Sequence, residues 1–210
     1  MNHSSPPAKS FESVVRSRRM TRSFSDRPID PALLDRMVEL AARAPSAGKT
    51  QGWHVVALTG ADTARFWDVS LPAEHRADFR WPGLLRAPLL LLPLADPAAY
   101  VARYAEPDKV RTGLGKSEHV WPTPYWTVDA SMSVMTLLLA AEDVGLGALF
   151  FGVFHNEFEV RQALGIPDEL QLLGAIALGW PDTPRAVGGE GRSASRPRRT
   201  PTDIIHHTTW

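Results

Sequence analysis

The stretch from Thr127 to Val144 constrains the fold most, because it has the length of a helix and is apolar on nearly every side. Its apolar residues are Ala130, Met132, Val134, Met135, Leu137, Leu138, Leu139, Ala140 and Ala141. A helix without a continuous polar face is buried in a core rather than laid on a surface. Gly145 suits the position just after a helix, where left-handed backbone is common. The sequence therefore predicts a central helix that other elements cover.

A second apolar run, Ala87–Ala95 (APLLLLPLA), has the length of a strand and no polar side chain. Such a strand is expected where helices cover both faces of a sheet. Other strands are predicted at 52–59, 148–154 and 174–179, and helices at 11–18, from Pro31 to a stop at Pro45, at 61–69 and at 157–164. Residues 97–126, rich in Pro, Gly and aromatic side chains, are predicted to be irregular. Because helices and strands do not alternate strictly, the class is α+β or a three-layer sandwich.

Composition excludes several classes of protein. The 210 residues suggest one domain, placed at 10–210 after a flexible N-terminus at 1–9. The 23 Lys and Arg residues balance 23 Asp and Glu residues, which argues against nucleic-acid and membrane-surface partners. The chain has no cysteine, so disulfides, thiolate metal sites and cysteine nucleophiles are excluded. The N-terminus lacks the apolar core of a signal peptide, and no apolar stretch could span a bilayer. We therefore expect a soluble, cytoplasmic protein.

Standard catalytic motifs are missing. No glycine-rich dinucleotide or P-loop motif, HExxH or GxSxG motif occurs. The seven histidines are scattered along the chain, so no metal site is predicted. His54, which alternates with apolar neighbours in a predicted strand, is interpreted as a structural residue.

Two arginine clusters lie far apart in the sequence. They comprise Arg16, Arg18, Arg19 and Arg22 near the N-terminus, and Arg192, Arg196, Arg198 and Arg199 near the C-terminus. They are either two solvated basic faces or two halves of one anion site, since guanidinium groups bind phosphate oxygens in pairs. The loop Ala44–Trp53 (APSAGKTQGW) has a similar ambiguity. It is either an ordinary loop that ends a helix or a loop of small residues that lies against a planar ligand.

A series of motifs then follows in one order along the chain. These are RRMTRSF at 18–24, APSAGKTQGW at 44–53, GLGALFFG at 145–152, LGIP at 164–167, LGWP at 178–181 and an ending that runs from Arg198-Arg199 through His206 to Trp210. In order, spacing and length the chain resembles the FMN-dependent nitroreductase family, from about Phe11 to Trp210. Two positions depart from the family motifs, because Met20 replaces a Ser and Lys49 replaces an Asn.

The resemblance implies an α+β, three-layer α-β-α sandwich with a mostly antiparallel central sheet, in an interlocked homodimer with FMN at the subunit interface. Arg18 and Arg19, with Arg198 and Arg199, would hold the ribityl phosphate. Met20 would lie beside the cofactor, and Arg22 would lie at the flavin N1 and C2-carbonyl edge, where a cation stabilises the reduced anion. The backbone of Phe151 and Gly152 would face N5. The other subunit would supply Pro45, Ser46 and Lys49, and the remaining cofactor-binding residues are Ala47 and Gln51 of the same loop.

The implied activity is an FMN-dependent, ping-pong transfer of two electrons from NADH or NADPH to a nitroaromatic, a quinone or a related conjugated acceptor. The segment at about 100–126 corresponds to a variable lid, with Trp121, Tyr125 and Trp126 as substrate residues. The apolar C-terminal arm at 200–210 is expected to dock on the partner subunit. Two alternatives remain open. The chain could be a biosynthetic flavoenzyme of the dehydrogenase or flavin-destructase type, or a non-catalytic protein that binds flavin or deazaflavin.

Overall fold

The computed structural model of the chain describes residues 9–182 and 195–210. The helices are α1 (Phe11–Ser17), α2 (Pro31–Ala41), α3 (Thr63–Ser70), α4 (Ala73–Arg76), α5 (Pro97–Tyr104), α6 (Tyr125–Asp143), α7 (Glu157–Leu164) and α8 (Pro201–Ile204). The strands are β1 (Trp53–Thr59), β2 (Leu89–Ala95), β3 (Gly147–Phe151), β4 (Gln171–Leu172) and β5 (Ala175–Gly179). Most predicted elements are confirmed within two or three residues at each end.

Helix α6 is the central helix that the apolar stretch predicts. Its inner side packs on the sheet through Val134, Leu137, Leu138 and Ala141. Gly145 has a φ of 83°, and the N–H of Leu146 donates to the carbonyl of Ala141 at 2.8 Å. This bond across a left-handed residue ends the helix as predicted. One stripe of α6 stays uncovered in the single chain, since Val128 and Met135 are exposed.

The sheet has the strand order β1-β2-β5-β3, and β4 pairs with β2 beyond that path. All of these pairs are antiparallel. Every residue of β2 is buried, because its side chains alternate between two helical layers. Leu90, Leu92 and Leu94 face the layer that contains α3 and α7, whereas Leu89 and Leu91 face α2 and α6. The predicted three-layer α+β sandwich with an antiparallel central sheet is confirmed.

Two local predictions were wrong. Residues 97–104 form α5 rather than an irregular segment, because Asp96 caps the helix by accepting a bond from the N–H of Ala99 at 3.1 Å. Pro97 at the first helical position suits this start, since its missing N–H would have no partner there. The strand predicted at 148–154 ends earlier, at Phe151. Beyond it the chain turns into a loop that leads to α7.

Helix α5 and the segment before α6 enclose a small aromatic core. Tyr100, Trp121 and Trp126 are buried there against Ala95 and Ala130. The rings meet edge to face, with centroids 6.0 Å apart for Tyr100 and Trp121 and 5.9 Å apart for the two tryptophans. The Trp121 indole N–H donates to the carbonyl of Leu114 at 3.0 Å. Much of the predicted lid is therefore packed structure.

The two ends of the chain behave differently. Of the N-terminus predicted to be flexible, 1–8 lie outside the described residues, and Lys9 donates from Nζ to the carbonyl of Glu142 at 2.9 Å. At the C-terminus, every residue from 195 to 210 is exposed in the single chain. Within the described ranges, none of the helices is long and apolar enough to cross a membrane.

Candidate functional site

The arginine-rich segment after α1 runs along the free edge of β3. Met20 forms a parallel bridge with Ala148, and the N–H of Thr21 donates to the carbonyl of Ala148 at 2.9 Å. This pairing extends the backbone from Arg18 towards Arg22. Arg18 therefore lies near the end of α6, and Arg22 lies near the end of β3.

Arg18 lies within electrostatic range of Arg198, although the two belong to different clusters. Burial lowers the pKa of Arg18, the charges of Arg198 and Arg19 lower it further, and the carboxylate of Glu142 opposes them. The Nη1 atom of Arg18 is buried and has no hydrogen-bond partner among the described residues. A half-buried cation with an unused donor beside a second cation suits an anion with several oxygens. Of the two interpretations of the clusters, convergence is the one that the structure favours for this pair.

The other two predicted phosphate residues are placed differently. The Nη1 atom of Arg19 donates to the carbonyls of Arg16 and Arg18, at 2.6 and 2.9 Å. These bonds turn its guanidinium group back towards the end of α1, where carbonyls are left without helical partners. Arg199 is exposed. Its role at a phosphate therefore remains a prediction.

A cavity of about 390 Å³ opens beside Arg22, Phe151 and Gly152. Its aromatic walls include Trp67, whose ring stacks on Phe151 with centroids 5.9 Å apart and planes within 5°. Flat walls of this kind suit a planar ligand. The ring of Phe154, which is 88% exposed, lies over Gly152 at this edge of the cavity, since a Cβ at Gly152 would be 2.3 Å from it.

Two residues that line the cavity have buried polar groups without a partner in the described part of the chain. The indole N–H of Trp67 and the hydroxyl of Ser70 are buried and unbonded within the described part of the chain, and both residues line the cavity. Buried polar groups are usually satisfied, and exceptions often mark a missing ligand or water. With Arg18 at the other end of the segment, the donor set suits a flat ring that carries acceptors and an anionic tail. FMN has both features.

The loop between α2 and β1 has an unusual backbone. Gly48, Lys49 and Gln51 have φ values of 62°, 55° and 55°, in the left-handed region that residues with a Cβ seldom adopt. Buried Asp129 on α6 holds this loop, because its Oδ2 accepts the N–H of Ala47 at 2.7 Å. A strained loop held by its surroundings is common at ligand sites.

The structure does not bring this loop and the arginine segment together within one chain. The loop is bonded to Asp129 near the start of α6, whereas Ser17 beside Arg18 donates to Glu142 near its end, at 2.8 Å. Residues 129 and 142 are 142 − 129 = 13 positions apart, which is about 20 Å along a helix. Pro45 and Gln51 are exposed, and Ser46 and Ala47 are half-buried.

The three predicted substrate residues differ in how far they are exposed. Trp121 and Trp126 are only 8% and 9% exposed, because both rings pack against Tyr100 in the aromatic core. Tyr125 is 43% exposed, so it alone of the three presents an open ring. The sequence interpretation missed Trp67, Ser70 and Asp129. Only for Asp129 was there a signal, namely a carboxylate in the first half of a helix whose other carboxylates lie at its end.

The fold and these sites define an α+β protein built to bind a flat ligand with an anionic end. The sequence model of the Nitroreductase family matches residues 15–180, and the chain belongs to that family.

Individual relatives agree with this assignment. The chain is 26% identical to a 4-nitrobenzoate reductase from Nocardioides sp., over 98% of this chain and 91% of the relative. It is 28% identical to an FMN reductase (NAD(P)H) from Bacillus subtilis, over 91% and 71% of the two chains. A solved structure described as a nitroreductase in complex with FMN, from Desulfovibrio desulfuricans, superposes with a TM-score of 0.68 at 19% identity, covering 97% of this chain and 99% of the other.

Proposed function

We propose that this protein is a homodimer that binds FMN across its subunit interface and reduces a nitroaromatic, a quinone or a related conjugated acceptor in ping-pong order. As a member of the nitroreductase family, it is an FMN-dependent NAD(P)H oxidoreductase. The name 4-nitrobenzoate reductase, carried by one relative, supports a nitroaromatic acceptor. The observation that carries the proposal is the unbonded, buried Nη1 of Arg18 beside Arg198.

The phosphate of FMN would be held at the Arg18 end of the site. Arg18 offers a desolvated donor, and Arg198 adds a second cation beside it. Charge-assisted bonds to a phosphate are about twice as strong as neutral ones. Arg19 and Arg199, which flank these two residues, complete the predicted set. The anion would offset both the burial and the repulsion that lower the pKa of Arg18.

The flavin ring would occupy the cavity at the Arg22 end. Arg22 lines the cavity with Phe151 and Gly152, and Met20 precedes it on the same extended segment. The indole N–H of Trp67 and the hydroxyl of Ser70 would donate to ring acceptors. When bound, FMN supplies the hydride chemistry. The residues of this chain orient the ring and place a cation near its edge, and no side chain is required as an acid or base because water can supply the protons.

The second half of each site would come from the partner subunit. Within one chain, α6 separates the loop that contains Lys49 from Arg18 by about 20 Å. The exposed apolar residues Val128 and Met135 lie on the same stripe of α6, and position 135 is close to the midpoint between 129 and 142. Packing this stripe on its two-fold copy would bring the start of one α6 to the end of the other. The loop of one subunit would then lie against the 18–22 segment of its partner, beside the ring cavity at the Arg22 end of that segment.

The visible spectrum of the purified protein tests the proposal. A yellow protein that releases FMN on denaturation, is bleached by NADH or NADPH without oxygen, and is reoxidised by 4-nitrobenzoate or a quinone would support it. Bleaching by neither nicotinamide, with turnover of pathway heterocycles instead, would favour the biosynthetic alternative. A colourless protein that does not bind added FMN would end the flavin assignment.

A further inference from the structure

Asp129 is a buried charged residue that the proposed redox chemistry does not use. Its residue exposure is 5%, and its Oδ2 accepts two bonds, from the N–H of Ala47 and from the hydroxyl of Tyr100, both at 2.7 Å. Both donors are neutral. A buried carboxylate is costly unless its bonds compensate for lost hydration. These two bonds connect α6 to the loop between α2 and β1 and to helix α5.

Donor and acceptor can be assigned for each hydrogen bond around Asp129. An ionised carboxylate only accepts, so Tyr100 must donate its proton to Asp129. The phenol oxygen can then accept from the Ser46 hydroxyl, 3.5 Å away, and Ser46 Oγ accepts the N–H of Gln51 at 2.8 Å. Burial raises the pKa of Tyr100, which keeps the phenol protonated and the direction fixed. The chain of bonds runs from Gln51 through Ser46 and Tyr100 to Asp129.

This series of hydrogen bonds holds the part of the loop that has left-handed backbone. Lys49 and Gln51 hold left-handed conformations with φ of 55°, and such strained conformations persist only where the surrounding structure imposes them. Helix α5 adds one more restraint, because Arg103 Nε donates to the carbonyl of Gly48 at 2.9 Å. The loop is therefore fixed at both ends and in the middle by residues that lie behind it.

We propose that Asp129 and Tyr100 are positioning residues, which hold residues 46–51 in the conformation that meets the flavin ring of the partner subunit. The proposal rests on the proposed function, since it takes the loop to be the cofactor's second wall. Neither side chain touches the cofactor. Asp129 acts through the backbone N–H of Ala47, and Tyr100 acts through the hydroxyl of Ser46.

Two variants test the hydroxyl of Tyr100 and the carboxylate of Asp129, and a third is the control. Tyr100→Phe removes one hydroxyl and keeps the ring, and Asp129→Asn keeps one accepting oxygen but removes the negative charge that strengthens both bonds. Tyr104→Phe is the matched control, because it makes the same change one helical turn later in α5, on a ring that packs against Gly48. In FMN-free protein, hydrogen exchange at the amides of Ala47 and Gln51 should be roughly 5- to 10-fold faster in the first two variants, the equivalent of one lost hydrogen bond. Tyr104→Phe should match wild type.

Flavin binding is the second readout. Because the loop faces the ring rather than the phosphate, Tyr100→Phe and Asp129→Asn should weaken FMN and riboflavin by the same factor, roughly 5- to 10-fold. They should also shift the reduction potential of the flavin that remains bound, which a remote structural defect would not do. Tyr104→Phe should change neither affinity nor potential.

The outcomes separate this role from the proposed function. Wild-type exchange rates at both amides in Tyr100→Phe and Asp129→Asn would overturn the role, whatever the flavin does. Faster exchange with unchanged affinity and potential would overturn it as well, because the loop would then not serve the ring. Either result leaves flavin binding by the wild type intact, whereas a wild-type protein that binds no flavin removes the proposed function and this role together.

Discussion

Arg18 and Arg198, which are 198 − 18 = 180 positions apart in the sequence, lie close enough for the charge of Arg198 to lower the pKa of Arg18. Two like charges in a partly buried place oppose folding unless an opposite charge joins them. Glu142 provides part of that charge, but it is also bonded to Ser17 and paired with Lys9. The buried Nη1 of Arg18 still has no hydrogen-bond partner among the described residues, which is a lack that a bound anion would correct.

The first prediction concerns the phosphate. Arg18→Ala or Arg199→Ala should weaken FMN binding by about 1.5–3 kcal/mol, the contribution of a charge-assisted hydrogen bond. Riboflavin, which lacks the phosphate, should bind poorly to wild type and be almost unaffected by either change. Titration of both ligands by fluorescence quenching provides the measurement. Equal losses for FMN and riboflavin would mean that the arginines support the fold rather than the phosphate.

The second prediction concerns the ring cavity and separates stability from binding. Ser70 has a buried hydroxyl without a partner, so Ser70→Ala removes an unsatisfied group at almost constant volume. The FMN-free protein should be equally stable or up to about 1 kcal/mol more stable, whereas FMN and riboflavin should both bind about tenfold more weakly. Urea unfolding and flavin titration measure the two effects. A variant that loses stability but keeps its flavin affinity would show that the hydroxyl serves the fold.

Much of the architecture follows from the sequence, for physical reasons that particular residues illustrate. The all-round apolar pattern of α6 and the unbroken apolar run of β2 fix the two central layers, because such surfaces cannot face water. Asp30 before Pro31 marks the start of α2, and the carboxylate does accept the N–H of Ala32, at 2.9 Å. Helix α5 was missed although Asp96 and Pro97 carry the same signal. The many prolines and glycines after it dominated the interpretation of that segment.

The site could be predicted only in part. The motif residues were proposed by resemblance and stay a prediction, while the structure places Arg18 within electrostatic range of Arg198. Trp67 and Ser70 lie on an ordinary short helix, and only the packing of α3 beside the end of β3 shows that they face a cavity. Trp126 was assigned to the lid although its ring is buried. The sequence of a Pro-rich segment does not show whether an aromatic ring in it is exposed or buried.

The third prediction distinguishes the two neighbouring aromatic residues at the start of α6. Tyr125→Ala should destabilise the protein much less than Trp126→Ala does, since Tyr125 is 43% exposed, but it should alter the kinetics of quinone or nitroaromatic reduction. Trp126→Ala should destabilise the protein by about 3–5 kcal/mol, because it empties the aromatic core. Unfolding curves and steady-state kinetics at a fixed NADH concentration measure both. If Tyr125→Ala loses FMN in parallel with activity, its assignment to the substrate side is wrong.

The fourth prediction concerns the exposed stripe of α6. Met135 is 41% exposed in the single chain, so Met135→Glu should leave each chain folded while placing two like charges at a two-fold contact. Sedimentation should show a dimer for wild type and a monomer for the variant at micromolar concentration, with FMN lost at the same time. Phe158→Glu, on α7 in the opposite layer, is the matched control because it places the same charge on another exposed apolar residue. A Met135→Glu protein that stays dimeric would place the interface elsewhere.

The last prediction tests whether each site is composite. Lys49→Glu and Arg199→Glu should each abolish FMN binding in the homodimer, because each site needs Lys49 from one chain and Arg199 from the other. In a heterodimer of the two variants, one site carries both changes and the other carries neither. Random exchange of equal amounts makes half of the dimers mixed, with one intact site in each, so about a quarter of the wild-type FMN capacity should return. A site built within one chain would recover nothing, since every chain in the mixture carries one of the two substitutions.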